Sequence, residues 1–355
     1  MRPERAPEDV EPGDLPEIPR PREQDALIGH AEAEAAFGSA IRAGRLHHAW
    51  LIGGPRGIGK ATLAYRVARW LIANPSAREV PDSLGVDPAH PAARQVAALS
   101  HPNLVALRRT RAPNAKTLAT KISVDAARSA LDLFASTAGQ AGDRICIVDS
   151  AEDLNANSAN ALLKMVEEPP PRSLFLIVSH APGRLLPTIR SRCRALTLRP
   201  LSEDDVARVI GRFAAPFVQP DADGLTRAAR LAEGSVAGAV ALLDPARANL
   251  VAEVETLLAR LDHPDWRRIL ALAEKLSARE ADELFAASLD TVFRFVSAEL
   301  DRRRHEPPAR LAALVEIHDK IARAAREVAI YNLDRRPLVL SLFGDLADVL
   351  RTERQ

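Results

Sequence analysis

Residues 54–62 read Gly-Pro-Arg-Gly-Ile-Gly-Lys-Ala-Thr and directly follow a short apolar run that begins at Ala49. This stretch fits the pattern G-x-x-x-x-G-K, in which glycines let backbone N–H groups surround phosphate oxygens and the lysine reaches the outer phosphates. Residues 60–73 then have the apolar spacing of a helix. A strand, a glycine-rich loop and a helix in this order open a βαβ unit. The candidate phosphate-binding residues are Gly54, Gly57, Gly59 and Lys60.

Lysine is rare in this chain, which makes Lys60 informative. Only six of the 48 basic residues are lysines, and the others are arginines. A lysine at the one motif position that requires it therefore indicates descent from a phosphate loop.

The motif departs from the active pattern at its last position. A Ser or Thr normally follows the lysine and holds Mg²⁺, whereas this chain has Ala61, which has no ligand atom. Thr62 lies one residue further on, turned by about 100° around a helix. We therefore expect no metal-dependent hydrolysis, although Thr62 stays a candidate nucleotide contact. Whether ATP or ADP still binds is left open by the sequence.

Outward from this loop, apolar runs alternate with segments of helical spacing. Residues 145–149 and 174–178 are short and continuously apolar, as buried parallel strands are, and residues 104–107 form a further candidate strand. Helical spacing covers residues 123–137 and 155–168. The alternation predicts an α/β domain whose parallel sheet is covered by helices on both faces.

Asp149 ends one of these predicted strands. In phosphate-loop ATPases an Asp at this place orients the Mg²⁺ shell, and an adjacent Glu often activates the attacking water. The adjacent residue here is Ser150, and the pKa of a neutral hydroxyl is far too high for it to serve as that base. Glu152 is near in sequence and is the candidate substitute.

Composition divides the chain into parts. Residues 1–23 are charged and carry six prolines, which predicts a disordered tail. Residues 24–200 form the α/β domain, interrupted by a proline-rich insertion at 74–101 with at most one short helix. After that the spacing is helical only, with a small domain over 201–245 and an all-α domain over 246–355.

The overall composition excludes several classes of protein. A chain of 355 residues with 47 % apolar and 27 % charged residues is long enough for two or three domains with real cores. It has no signal-peptide core and no apolar run that could span a membrane, so we expect a cytoplasmic protein. The net charge of +1 argues against wrapping nucleic acid through bulk charge. Cys146 and Cys193 are too far apart in sequence to encode a disulfide framework or a zinc site.

Two later segments make the pattern more specific. Residues 159–170 read Ala-Asn-Ala-Leu-Leu-Lys-Met-Val-Glu-Glu-Pro-Pro, and residues 186–193 read Leu-Pro-Thr-Ile-Arg-Ser-Arg-Cys. Together with the phosphate loop and Asp149, this ordered set resembles the AAA+ clamp-loader family, the bacterial DNA polymerase III clamp loader above all. The resemblance runs through the first 200 residues and more loosely through the rest. It implies an AAA+ P-loop domain, then a helical lid at 201–245 and a collar domain at 246–355.

The resemblance also implies roles for particular residues. In that family Ser-Arg-Cys carries an arginine finger that reaches the ATP of a neighbouring subunit, and here this residue is Arg192. A planar guanidinium that stays charged suits the contact with phosphate. Ser179 or His180 would be the polar sensor, and Ala237 stands where the lid carries an arginine. The insertion lacks the four cysteines that often bind zinc in relatives, so we expect no zinc there.

Taken together, Ala61, Ser150 and Ala237 lack side chains that hydrolysis needs, whereas Arg192 keeps its own. The resemblance then implies a non-hydrolysing clamp-loader subunit with no ATPase activity of its own and no required cofactor. Its partners would be the ATPase (gamma/tau) and delta subunits of a five-membered ring and, through that ring, the sliding clamp and primer-template DNA. The main alternative is an ATP-hydrolysing motor subunit of the gamma/tau type, which would need Thr62 and Glu152. A free-standing P-loop protein would leave the Ser-Arg-Cys segment unexplained.

Overall fold

The computed structural model describes residues 18–75, 79–110, 119, 121–135, 142–213, 222–278, 281–331 and 333–352. The chain divides into two compact units, the first ending at Val240 and the second beginning at Ala241. The first unit therefore takes in nearly all of the predicted lid region. Residues 1–17, which make up most of the predicted tail, lie outside the described part of the chain.

Parallel strands form one sheet in the first unit. In chain order they are β1 (Ala49–Gly53), β2 (Leu104–Arg108), β3 (Arg144–Asp149), β4 (Ser173–Ser179) and β5 (Arg194–Thr197). Their order across the sheet is β2-β3-β4-β1-β5, and every neighbouring pair is parallel. The four predicted strands are confirmed as β1 to β4. The sequence did not predict β5, because this edge strand is largely exposed and has no continuous apolar run.

Helices surround this sheet and make up the second unit. Those of the first unit are α1 (Ala31–Arg42), α2 (Lys60–Ala73), α3 (Pro91–Ala97), α4 (Val124–Ala135), α5 (Ala156–Glu167), α6 (Pro187–Arg192), α7 (Glu203–Arg212), α8 (Ala222–Leu231) and α9 (Val236–Ala241, which ends one residue past the division). Those of the second unit are α10 (Pro245–Leu258), α11 (Trp266–Leu276), α12 (Asp282–Arg302), α13 (Pro308–Tyr331) and α14 (Arg336–Thr352).

The central strands are buried on both faces, because their side chains alternate between two cores. Ile145 and Ile147 of β3 pack in the same cluster as Phe37 of α1 and Leu63 of α2. Cys146 and Val148 belong to a second cluster that contains residues of α5. This period-2 alternation places helices on either side of the sheet, which confirms the predicted α/β arrangement.

Part of the predicted tail is packed against the first unit. Residues 21–23 form a 3-10 turn, and Arg20 and Arg22 are buried. Arg22 Nε donates to the carbonyl of Ala97 at 2.7 Å, and Arg69 Nη2 of α2 donates to the carbonyl of Arg22 at 2.6 Å. The prediction of a disordered tail over residues 1–23 is therefore wrong for residues 18–23. The hydrogen bonds that Arg22 forms with Ala97 and Arg69 hold this segment against α2 and α3.

The insertion is fastened to the α/β domain by a buried ion pair. Arg66 Nε of α2 lies 2.5 Å from Glu34 Oε1 of α1, and the same oxygen accepts from the Leu84 N–H at 2.6 Å. Arg66 also donates to Ser83 Oγ at 2.8 Å. Leu84 itself is fully buried, and α3 is the short helix expected in this segment. Protein contacts therefore hold the insertion in place.

The second unit has a core of its own. In it α10 packs against α12, and α14 packs against both α11 and α13. Its hydrophobic cluster consists of aliphatic and phenylalanine side chains, among them Leu250, Ile269, Val296 and Leu346. Throughout the described part of the chain, every helix is too short or too polar to span a lipid bilayer.

Candidate functional site

The phosphate loop joins β1 to α2 in the predicted position. Its glycines have φ angles of 139° at Gly54, 74° at Gly57 and 102° at Gly59, which only glycine adopts without strain. Gly59 is the N-cap residue of α2, and Lys60 opens the helix. The loop therefore has the backbone shape that directs N–H groups and a helix N-terminus towards an anion.

Lys60 is turned back onto this loop. Its Nζ donates to the carbonyl of Gly54 at 2.6 Å and to the carbonyl of Pro55. Burial lowers the pKa of the Lys60 ammonium to about 8, although the charges of Asp149 and Glu152 oppose that shift. The loop carbonyls thus engage two of the three N–H donors of the Lys60 ammonium.

The position after Lys60 offers no metal ligand. The methyl group of Ala61 packs against the core, and Thr62 is a half-buried residue in the first turn of α2. Among the described residues, no group of three or more His, Cys, Asp or Glu side chains is placed to hold a metal ion. The position that holds Mg²⁺ in an active phosphate loop thus has no oxygen ligand in this chain.

Asp149 lies at the carboxyl end of β3 and interacts electrostatically with Lys60. Burial raises the pKa of Asp149 to about 6, and the Lys60 charge opposes this rise. The next residue, Ser150, is buried, and its Oγ donates to Asp153 Oδ2 at 3.4 Å. Ser150, the residue after Asp149, is thus a buried hydroxyl that forms a hydrogen bond within the chain.

Glu152 is engaged by the end of β4. Its Oε1 accepts from Ser179 Oγ at 2.5 Å and from the backbone N–H groups of His180 and Ala181 at 2.7 Å each. Burial alone would raise the pKa of Glu152, but the hydrogen bonds from Ser179 and Ala181 outweigh it and hold this pKa below its usual range. We name this arrangement the Glu152 latch. Sequence reasoning missed it, because only the fold brings residues 27 to 29 positions apart together.

The latch also uses the residues proposed as a sensor. The Ser179 hydroxyl donates its proton to Glu152, so it has no second proton for a phosphate oxygen. His180 is the residue after Ser179. Burial, and to a lesser extent the positive charges of Lys60 and Arg56, lower the pKa of the His180 ring to about 4. The His180 ring is therefore neutral at pH 7.

The start of α9 lies directly on the phosphate loop. The N–H of Val236 donates to the carbonyl of Gly57 at 2.9 Å. A Cβ atom added at Gly57 would lie 2.2 Å from Ser235 Oγ and 2.9 Å from the Cβ of Ala237. The structure thus brings together the phosphate loop and the Gly-Ser-x-Ala segment in which an arginine is replaced by Ala237.

Arg192 occupies a different setting at the end of α6, just before the edge strand β5. Its Nη1 donates to the carbonyl of Thr188 at 3.0 Å and, more weakly, to Ser191 Oγ at 3.4 Å. Its Nη2 lies 2.9 Å from Glu167 Oε1 at the end of α5. The Arg192 side chain is 40 % exposed, so a neighbouring molecule can reach it.

Comparisons with known proteins agree with this architecture. The family model described as "DNA polymerase III, delta subunit" matches residues 29–202. The chain is 38 % identical over 146 residues to the DNA polymerase III subunit delta-prime of Pseudomonas aeruginosa, covering 41 % of each chain. It is 31 % identical over 237 residues to the delta-prime subunit of Escherichia coli, covering 66 % of each.

A second kind of relative matches a longer part of this chain at lower identity. The DNA polymerase III subunit tau of Escherichia coli is 26 % identical over 270 residues, which cover 75 % of this chain and 40 % of tau. The chain thus spans about two fifths of the length of the first relatives it matches. Its parallel sheet, phosphate loop and helical C-terminal part are those of an AAA+ domain followed by a helical region. By these matches the chain belongs to the delta-prime family of DNA polymerase III clamp-loader subunits.

Proposed function

We propose that this chain is a cytoplasmic, non-hydrolysing subunit of the DNA polymerase III clamp loader that acts in DNA replication. It contributes Arg192 in trans to the ATP site of a neighbouring ATPase subunit. The observation that carries this proposal is the exposed Arg192 at the end of α6, in a chain whose own loop has Ala61 at the metal-ligand position. A guanidinium presents a planar fork of donors to phosphate oxygens and stabilises the charge of the transition state.

The chain's own phosphate loop supports the non-hydrolysing role. Two of the three donors of Lys60 are engaged by carbonyls of the loop, and Ala61 offers no oxygen to Mg²⁺. Glu152, the candidate base, accepts three hydrogen bonds at Oε1, and its lowered pKa makes it a weak base. The function needs no cofactor on this chain, neither zinc in the insertion nor a hydrolysed nucleotide, although ATP or ADP could occupy the loop without reacting.

The partners follow from the same proposal. An arginine finger in trans requires an ATPase subunit beside this chain, and relatives of this chain are named tau and delta-prime. We therefore assign the gamma/tau and delta subunits of a five-membered ring as direct partners. The sliding clamp and primer-template DNA would be met through the assembled ring.

The alternative is an ATP-hydrolysing motor subunit, and the tau match over 75 % of the chain favours it. A motor would need Thr62 to hold Mg²⁺ and Glu152 to activate water. The Glu152 latch opposes this, since the carboxylate is already held by Ser179 and the following backbone. The non-hydrolysing subunit therefore fits the geometry better.

The test is Arg192→Ala in a clamp loader reconstituted with its gamma/tau and delta subunits. We expect the ring to assemble and ATP turnover at the neighbouring site to fall by a factor on the order of 10³, as for other fingers supplied in trans. Arg190→Ala is the matched control, since Arg190 is an exposed arginine of the same helix. Unchanged turnover with Arg192→Ala would refute the proposal.

A second measurement separates the two candidate functions. The isolated chain should hydrolyse no ATP above background in the presence of Mg²⁺. Turnover that disappears with Lys60→Ala would instead support the motor subunit.

A further inference from the structure

The last residues of two neighbouring helices form an ion pair at the surface of the first unit. Glu167 ends α5 and Arg192 ends α6, and these two helices pack against each other. Glu167 Oε1 lies 2.9 Å from Arg192 Nη2, with the two side chains 37 % and 40 % exposed. The pair is thus formed within the chain, yet it is open to another molecule.

The guanidinium of Arg192 is held from two sides. Nη2 meets the Glu167 carboxylate, while Nη1 donates to the carbonyl of Thr188 and weakly to Ser191 Oγ. The two hydrogen bonds use the N–H groups of Nη1, and the contact of Nη2 with Glu167 is an ion pair. Within the described part of the chain, Nε and Nη2 donate no hydrogen bond, so their N–H groups can meet an incoming phosphate. The contacts within the chain therefore orient the Arg192 side chain and still leave hydrogen-bond donors for a ligand.

The place of Glu167 in α5 is not explained by the helix itself. The C-terminal end of a helix carries partial negative charge, so a carboxylate at the last residue is unfavourable there. Arg192 supplies the compensating positive charge from the next helix. The contact with Arg192 is therefore the physical role that the structure gives to Glu167.

We infer that Glu167 is a positioning residue, which holds Arg192 in the orientation that meets the phosphate groups of the neighbour's ATP. The inference rests on the proposed function of Arg192 in trans. A free arginine side chain must give up its rotamer freedom each time it engages a phosphate. An arginine already held by Thr188 and Glu167 loses less, and reacting groups held in place accelerate the chemical step.

The experiment uses the reconstituted clamp loader with Glu167→Ala, Glu167→Gln and Arg192→Ala, and the double variant Glu167→Ala/Arg192→Ala. We expect Glu167→Ala to lower kcat for ATP by about three- to fivefold, the effect of a half-exposed ion pair, and to leave KM unchanged. Glu167→Gln should lower kcat about as much, because it keeps the size of the side chain but removes the charge that pairs with Nη2. Glu168→Ala is the matched control, since Glu168 is exposed and has no ion-pair partner among the described residues.

The double variant separates positioning from a general structural role. If Glu167 acts through Arg192, Glu167→Ala has no further effect on kcat once Arg192 is alanine, and ring assembly is unchanged. A kcat that falls with Arg192→Ala but not with Glu167→Ala would overturn this inference alone. An increase of kcat with Glu167→Ala, or a further loss in the double variant, would also overturn it. If Arg192→Ala itself has no effect, the proposed function fails together with the inference.

Discussion

Replacing Glu152 by Ala should destabilise the first unit by about 3 kcal/mol. The change removes an acceptor that takes hydrogen bonds from Ser179 Oγ and from the N–H groups of His180 and Ala181. A hydrogen bond to a charged group contributes about 1.5–3 kcal/mol, so three of them set an upper limit of roughly 5–9 kcal/mol. The observed loss will be smaller, because water can enter the space left by the carboxylate and coupled contacts do not add.

The assay is urea unfolding of the full chain followed by tryptophan fluorescence. Trp50 and Trp70 are buried in the first unit, whereas Trp266 is 47 % exposed in the second. A Trp266→Phe background therefore makes the signal report on the first unit alone. With a slope of roughly 2 kcal/mol per molar urea, a loss of 3 kcal/mol moves the midpoint by about 1.5 M.

Two control variants and the pH dependence sharpen this prediction. Glu152→Gln keeps an acceptor oxygen and should lose less than half as much, and Glu168→Ala should stay within about 0.5 kcal/mol. Because the pKa of Glu152 is lowered in the folded chain, its stabilisation is complete above the pKa of the unfolded chain and is lost as the pH falls through the folded pKa. The gap between wild type and Glu152→Ala should therefore close in acid. A midpoint shift below about 0.3 M at pH 7, or one equal to that of Glu168→Ala, would refute the reasoning.

Two other substitutions test buried charges of the first unit. Asp149→Asn should raise stability at pH 7: burial raises the pKa of Asp149 to about 6, so wild type loses stability as the pH rises from about 4 to 6 and the variant does not. Urea midpoints measured across that range check it, and parallel profiles would contradict it. Glu34→Ala should cost about 3–5 kcal/mol, because it leaves the guanidinium of Arg66 buried without its carboxylate. Thermal melting should show a smaller loss when both residues are replaced by leucine, and an equal or larger loss would count against this account.

Much of the fold could be predicted from the sequence, because a strand that is buried on both faces of a sheet is a continuous run of apolar residues. The runs that became β1, β3 and β4 are continuously apolar and end at turn residues, which is typical of parallel strands covered by helices. The same principle explains why β5 was missed. Its residues are mostly exposed at the edge of the sheet, so its pairing with β1 is a backbone interaction without an apolar pattern.

The candidate site was only partly predictable. One contiguous motif contains Gly54, Gly57, Gly59 and Lys60. Its spacing predicts the loop conformation that the structure shows, with positive φ angles at the three glycines. The contacts of the acidic residues are different in kind. Glu152 meets residues 27 to 29 positions away, and Glu34 meets Arg66 32 positions away. No local periodicity encodes such pairs, and only packed elements bring them together.

Two glycines of the phosphate loop, Gly54 and Gly57, are also required for packing, whether or not a nucleotide binds. A Cβ atom at Gly54 would lie 2.6 Å from the carbonyl oxygen of Leu198, and one at Gly57 would collide with Ser235 and Ala237. A larger residue would push away the segment that follows β5 or the start of α9. A chain that bound no phosphate would therefore still need glycine at Gly54 and Gly57, whereas a Cβ atom at Gly59 would meet His30 at an ordinary 3.5 Å. The first glycine of the G-x-x-x-x-G-K signature can thus be retained for packing alone, so this position indicates an architecture before it indicates an ATPase.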